Sequence, residues 1–66
     1  MSVVKVIEVL SNSTKSWEDA TQKGIAKASQ SVTGIKSAFV KSQSVTVNKG
    51  KVKEFRVNLK ISFAIK

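Results

Sequence analysis

The 66-residue chain contains no cysteine, no histidine and no proline. Without cysteine it forms no disulfide, and without cysteine or histidine it lacks the ligands that hold structural zinc. The usual nucleophile–base pairs, which use cysteine or histidine, are excluded as well. Only a Ser–Lys pair or a carboxylate with a strongly shifted pKa would remain. No spacing in the sequence singles out such a pair. We therefore predict that the protein is not an enzyme and has no catalytic residues.

Acidic residues are scarce. Four carboxylates stand against twelve lysines and arginines, which gives a net charge of +8. The four lack the spacing of a calcium-binding loop, so we predict no metal site. This excess of positive charge is suited to binding a small anionic ligand, an anionic surface or nucleic acid. The lysines are scattered, however, and only Lys49, Lys51 and Lys53 form a local group. This distribution is typical of a solvated surface, and nucleic acid is the least favoured partner.

Long apolar runs are also missing. The apolar segment Met1–Leu10 carries Lys5 and Glu8 and is followed by no cleavage site for a signal peptide. We expect a cytoplasmic protein without a membrane partner. We predict a single domain over residues 1–66, a size at which burial on folding is only about 60% and stability is marginal. Small domains compensate with disulfides, metals or oligomerisation, and here oligomerisation remains.

The C-terminal segment shows the clearest pattern in the chain. Apolar side chains recur at every second position from Phe55 to Ile65, with mostly polar residues between them. This alternation predicts a strand with one apolar face. The strand runs from about Val52 to Ile65 and exceeds the usual 3–10 residues. A chain of this length has too little else to cover it, so the sequence predicts self-association.

The N-terminal half predicts a strand and a helix. Val3–Leu10 reads as a strand with two largely apolar faces, suited to being covered on both sides, and residues 11–15 read as a loop. Ser16 then starts a helix in the form S-x-x-D with Asp19. A stripe of small residues follows, and the helix extends about 17 residues to its terminator Gly34.

The remaining segment predicts a hairpin. Ile35–Val47 reads as the second strand, with Phe39 on the same face as Lys41, Gln43 and Val45. Asn48-Lys49-Gly50 matches a three-residue hairpin loop, and the C-terminal strand follows. The predicted fold class is α+β, a β-α-β-β unit with a three-stranded antiparallel sheet packed on one helix.

Four segments resemble one protein family. They are K-V-I-E-V at Lys5–Val9, S-W-E-D-A at Ser16–Ala20, G-I-A-K-A at Gly24–Ala28 and G-K-V-K-E-F-R-V-N-L-K-I-S-F at Gly50–Phe63. With these segments the chain resembles the dodecins over essentially its whole length. The resemblance implies a β-α-β-β protomer whose hairpins pair across subunits into a hollow, roughly spherical homododecamer.

The resemblance also implies a ligand. Typical dodecins bind riboflavin or its phosphates in stacked pairs, so it implies flavin (FMN or riboflavin) as cofactor and a flavin-storage function. In the family a tryptophan at the start of the second strand stacks on the flavin, and a glutamine of the third strand bonds its polar edge. This chain has Ser37 and Arg56 at those positions, which makes them the candidate ligand-binding residues. The alternative is a dodecin-like shell that has lost flavin and holds another anionic ligand or an ion.

Two residues have competing interpretations. The fork of Arg56 suits a phosphate or carboxylate, but it also suits a salt bridge between subunits, with Glu54 or with a partner's Glu8 or Asp19. Trp17, the single tryptophan, is predicted to pack in the core at the start of the helix. Its alternative role is a stacking platform for a ligand.

Overall fold

The computed structural model describes residues 3–65. Met1, Ser2 and Lys66, which belong to the predicted 1–66 domain, lie outside the described residues. The described chain forms β1 (Val3–Ser13), α1 (Trp17–Ser29), β2 (Ile35–Asn48) and β3 (Lys51–Ile65). The predicted β-α-β-β order and the α+β class are therefore confirmed. No helix within residues 3–65 combines the length and apolar character needed to cross a membrane.

The sheet places β3 between β1 and β2, antiparallel to both. The alternation predicted for β3 is confirmed, since Val57, Leu59 and Ile61 are at most 1% exposed. Together with Ala20 of α1 they make up the fully buried apolar core of the described residues. The core lies under the middle of β3 only. One helix of 13 residues does not reach the ends of a strand of 15.

Helix α1 begins where the sequence predicts and ends earlier. The Ser16 Oγ accepts a hydrogen bond from the Asp19 backbone N–H at 2.9 Å, which caps the first turn. The helix stops at Ser29, well short of Gly34. The amide groups of residues 31 and 32 both bond the Ala28 carbonyl, which closes the last turn. Gly34 instead has a φ of +77° in the connection to β2, where glycine is the favoured residue.

Strand β1 is longer than predicted. It continues through Ser13, which pairs with Phe55, so residues 11–13 belong to the strand and not to a loop. The long β3 supplies backbone hydrogen-bond partners for residues 11–13, whose polar side chains gave no indication of a strand. The described chain covers β1 on one side only, so the predicted covering on the other side would have to come from another copy and stays a prediction. Ile7 and Val9 pack against the core, whereas the alternating residues of the other side are exposed, namely Val4, Val6 and Leu10.

Strand β2 departs from simple alternation. Its pairing with β3 shifts between Ile35 and Ser37 and again between Val40 and Ser42. Each shift inserts one unpaired residue and reverses which side the following residues face. Phe39 therefore shares a face with Ser42, not with Gln43 and Val45 as predicted.

The hairpin loop is shorter than predicted. Asn48 pairs with Lys51, which leaves Lys49 and Gly50 as a two-residue loop. Their φ angles are +53° and +77°, and positive values at both positions are the mark of a type I′ turn. The three-residue loop predicted from the sequence is wrong.

Candidate ligand-binding face

The sheet side opposite α1 has no covering layer within the described chain, and we call it the open face. Residues paired across antiparallel strands project to the same side, so the register identifies its members. They are Val4, Val6, Glu8, Leu10 and Asn12 of β1, Ser37, Phe39, Ser42, Ser44 and Thr46 of β2, and Glu54, Arg56, Asn58, Lys60, Ser62 and Ala64 of β3.

Arg56 is the centre of a polar row across all three strands. It pairs with Asn12 of β1 on one side and with Ser44 of β2 on the other, and we call these three residues the Arg56 row. The Arg56 Nε donates to the Asn12 Oδ1 at 3.3 Å. Within residues 3–65 no carboxylate lies within ion-pair distance of Arg56. Arg56 therefore forms no salt bridge within the described chain, and the predicted salt bridge between subunits stays a prediction.

Two buried polar atoms lie in the rows on either side of Arg56. Thr46 pairs with Glu54 on the side of the hairpin loop, and Asn58 pairs with Leu10 and Ser42 on the other. The Thr46 Oγ1 and the Asn58 Oδ1 are both buried and have no hydrogen-bond partner among the described residues. Buried polar atoms in native proteins nearly always have a partner, so this region of the open face has unused hydrogen-bonding capacity.

The next row contains a paired carboxylate. The Lys41 Nζ lies 3.4 Å from the Glu8 Oε2, and Lys41 reaches it from the β-bulge of β2 across β3. The side chain of Asn58, and then Lys41, hold the pKa of Glu8 below its usual range. Glu8 is thus an ionised and compensated group, unlike the carboxyl of raised pKa that a general acid requires at neutral pH.

Ser37 lies toward the other end of the open face. Its Oγ is 2.6 Å from the Ser62 Oγ, so the two hydroxyls satisfy each other. No ring occupies this row. Phe39, in the neighbouring row, is the aromatic side chain of the open face and is 66% exposed.

The two predicted ligand-binding residues are not neighbours in one chain. Ser37 pairs with Ser62, which stands six residues beyond Arg56 on β3, a distance of about 20 Å at ~3.3 Å per residue. A single small ligand on one chain does not contact both. Alternation along β3 already places Asn58 on the same face as Arg56. Sequence reasoning did not place Asn12 and Ser44 beside Arg56, because only the strand register does so.

Trp17 belongs to the packing of the helix and not to the open face. Its ring meets Phe55 edge-on, with 5.1 Å between centroids, and packs against the core. The indole Nε1 donates to the Ser44 carbonyl at 3.0 Å. The predicted packing role is confirmed, and the contact ties the start of α1 to the strand that carries Ser44.

The remaining carboxylates are dispersed. Asp19 accepts from the Ser13 hydroxyl and pairs with Lys23 at 3.2 Å, at the start of α1. Within residues 3–65 no three acidic side chains gather in a way that would hold a metal ion.

Comparison with known proteins agrees with this architecture. The family model described as Dodecin matches residues 3–66. The chain belongs to the dodecin family. It is 35% identical to the protein named calcium dodecin from Mycobacterium tuberculosis over 66 residues, which is 100% of this chain and 93% of that protein.

Solved dodecin structures share the fold. A crystal structure of a mutant of the Thermus thermophilus dodecin superposes with a TM-score of 0.94 at 27% identity, covering 100% of this chain and 98% of that one. The crystal structure of the M. tuberculosis calcium dodecin gives 0.86 at 36% identity, covering 98% and 93%. That structure is described as calcium chelating, with a novel calcium-binding site.

Proposed function

We propose that this dodecin chain assembles into a hollow homododecameric shell that binds and stores a small ligand in the cytoplasm. The observation that carries the proposal is the uncovered apolar surface on a dodecin protomer. Ten large apolar side chains of the described residues are exposed, among them Leu10 and Phe39, against four buried apolar residues. Complete burial of a fully exposed side chain of this kind contributes about 1.5–3 kcal/mol, and these ten are 37–67% exposed, so each contributes part of that amount.

The sheet edges support assembly as well. β1 and β2 are the edge strands of the described sheet, and an edge strand presents unpaired backbone N–H and C=O groups. Further copies of the same chain supply both an apolar surface and backbone partners. Dodecins form oligomeric shells, and this protomer has the surface that such a shell requires.

Storage, not catalysis, fits the chemistry of the chain. Histidine and cysteine are absent from the sequence. The two carboxylates with shifted pKa values, Glu8 and Asp19, are shifted downward. A general acid at neutral pH needs the opposite shift.

Flavin is the ligand that family membership suggests first. In this chain the position of the stacking tryptophan holds Ser37, whose hydroxyl is bonded to Ser62. An aromatic ring pair is worth about 0.5–1.5 kcal/mol beyond its buried area, and Ser37 offers no ring. The exposed ring of Phe39 could stack on a flavin. The unpaired Arg56, by contrast, favours a ligand that carries a negative charge.

Calcium is the second candidate, because a 35% identical relative is named a calcium dodecin. Glu54 lies on the open face and forms no ion pair within residues 3–65. A calcium ion takes 6–8 oxygen ligands, which would have to come from several copies here. Calcium storage predicts that calcium raises the melting temperature, that EDTA reverses the rise, and that Glu54→Gln reduces it.

Native mass spectrometry of protein purified without denaturation tests the proposal. Twelve chains of 7.2 kDa give a particle of about 86 kDa, and mass beyond this value identifies the cargo. Added riboflavin or FMN should lose fluorescence if flavin is bound. A compact, stable species of 7.2 kDa in dilute buffer would refute the shell and the storage function together.

A further inference from the structure

We propose that the Arg56 row of the open face binds a small oxyanion, a carboxylate or a phosphate group. The inference rests on the proposed storage function and names the chemical class of ligand. It concerns Arg56 together with Asn12, Ser44 and the flanking Thr46, and it does not depend on Ser37 or on a flavin ring.

The first reason is charge. Within residues 3–65 two cations have a carboxylate partner, Lys41 with Glu8 and Lys23 with Asp19, whereas the others do not. Arg56 has no such partner within residues 3–65, and its only hydrogen bond there goes to the neutral Asn12 side chain. An arginine held by a neutral residue keeps its full charge for an anion.

The second reason is the number of free donors. The guanidinium has five N–H groups, and the bond from Nε uses one of them. The terminal nitrogens keep the planar fork that matches two oxygens of a carboxylate or phosphate. The hydroxyl of Ser44 and the amide nitrogen of Asn12 lie in the same row, and neither donates a bond within the described chain. A bound oxygen therefore meets charged and neutral donors together.

The third reason is the unpaired Thr46 hydroxyl. It lies in the row next to Arg56, is buried, and has no partner within the described residues. A hydroxyl rotates freely and donates to whichever acceptor is near. Atoms of the same chain cover this hydroxyl, so an oxyanion on the Arg56 row supplies the acceptor once those atoms move aside. Glu54 faces Thr46 in the same row, so its negative charge limits the site on the side of the hairpin loop.

The competing explanation is a salt bridge between copies, in which a carboxylate of a second chain takes the place of the ligand. The two explanations differ in what Arg56 holds together. If it binds a ligand, its replacement leaves the particle intact and abolishes binding. If it pairs with another chain, its replacement weakens the particle.

The test uses the assembled protein and inorganic phosphate as the probe, measured by isothermal titration calorimetry at low chloride. We expect saturable binding of one phosphate per chain. Arg56→Gln should weaken it by about 10- to 100-fold, the range expected for a hydrogen bond to a charged group. Arg56→Lys should recover part of the affinity, because it keeps the charge and loses the fork. Lys27→Gln, which removes one positive charge on the helix, should leave binding unchanged.

Glu54→Gln separates anion binding from cation binding. It removes the nearby negative charge, so phosphate should bind more tightly than to the wild type, whereas a calcium site built on Glu54 would be weakened. A comparison of FMN with riboflavin tests whether the Arg56 row contacts a phosphate group. The two ligands have the same ring system, and only FMN carries the phosphate. If the Arg56 row takes a ligand's phosphate, FMN binds more tightly than riboflavin in the wild type and equally in Arg56→Gln.

The contrary results are distinct. An intact wild-type shell without saturable phosphate or FMN binding overturns the oxyanion site and leaves the storage shell standing. Arg56→Gln particles that dissociate without any loss of phosphate affinity assign Arg56 to a contact between copies and overturn the site as well. A wild-type protein that forms no shell overturns the proposed function first.

Discussion

Gly24 is the residue at which α1 approaches the sheet most closely. A Cβ atom there would lie 2.9 Å from the Leu59 Cδ1 and 3.1 Å from the Ser11 Cβ. Leu59 is fully buried, so its side chain has little room to move. Gly24→Val should lower the stability by about 1–3 kcal/mol through overpacking. Thermal unfolding at fixed protein concentration measures the change, and Gln22→Val, at an exposed helical position, controls for the propensity of valine. Equal melting temperatures for the two variants would contradict this packing.

Asp19 makes the stability of the folded protein depend on pH. The Ser13 hydroxyl, and then Lys23, hold the pKa of Asp19 below its usual range. A carboxyl with a lower pKa in the folded state stabilises the fold above its unfolded pKa and loses this contribution as the pH falls through the folded value. Melting temperatures should therefore drop below about pH 4.

Asp19→Asn should melt lower at neutral pH and show a smaller drop in acid. Thermal melts between pH 7 and about pH 2.5 measure both effects, with Glu18→Gln in the same helical turn as the control. Parallel curves for the wild type and Asp19→Asn would show that this carboxyl does not contribute.

Residue roles were predictable where they depend on neighbours in the chain. The cap at Ser16 and the burial of Val57 and Leu59 follow from a local motif and from alternation. The partners of Arg56 do not, because Asn12 stands 44 residues away and becomes a neighbour only through the register of β1 on β3. The sequence indicated Arg56 as a candidate and gave no indication of the neutral residue that holds it.

Among the elements, the hairpin loop between β2 and β3 has one residue that suits its turn type, Gly50, and one that does not, Lys49. A type I′ turn requires positive φ at both central positions and favours Asn-Gly. Gly50 meets the requirement, but Lys49 adopts a φ of +53° with a full side chain. Lys49→Asn should stabilise the protein by about 0.5–1 kcal/mol, since asparagine tolerates this region better. The shift in denaturation midpoint measures it, with Lys51→Gln as a control for the lost charge. A lower midpoint for Lys49→Asn would exclude this turn.

The length and pairing of elements were predicted less well than their order. The periodic apolar pattern identified β3, and the capping motif at Ser16 identified the start of α1, because both signals are local in the sequence. The bulges of β2 interrupt such a pattern without a sequence signal, so Phe39 was assigned to the wrong face. The end of β1 was missed for a related reason: β3 supplies hydrogen-bond partners for residues 11–13, whose side chains are polar and resemble a loop.

At the scale of the whole molecule, folding and assembly depend on each other. The protomer measures 51 × 19 × 14 Å and has a small core under the middle of β3, while apolar side chains at its ends and on its open face, such as Leu10 and Phe39, remain exposed. A fold of this size has little stability to spare. Binding between folded copies adds stability by mass action. The melting temperature should therefore rise with protein concentration.

The open face allows assembly to be separated from folding. Leu10 is 67% and Phe39 66% exposed in the single chain, so replacing either removes little from the protomer's own core. Leu10→Lys and Phe39→Lys should each shift the native mass spectrum from the particle of about 86 kDa toward species of 7.2 kDa, because a charge buried between copies costs several kcal/mol. Lys36→Gln, at an exposed position, is the control that should leave the particle intact. Particles of undiminished mass and melting temperature in both lysine variants would mean that Leu10 and Phe39 face solvent in the shell, and assembly would then have to rest on the strand edges and the hairpin ends alone.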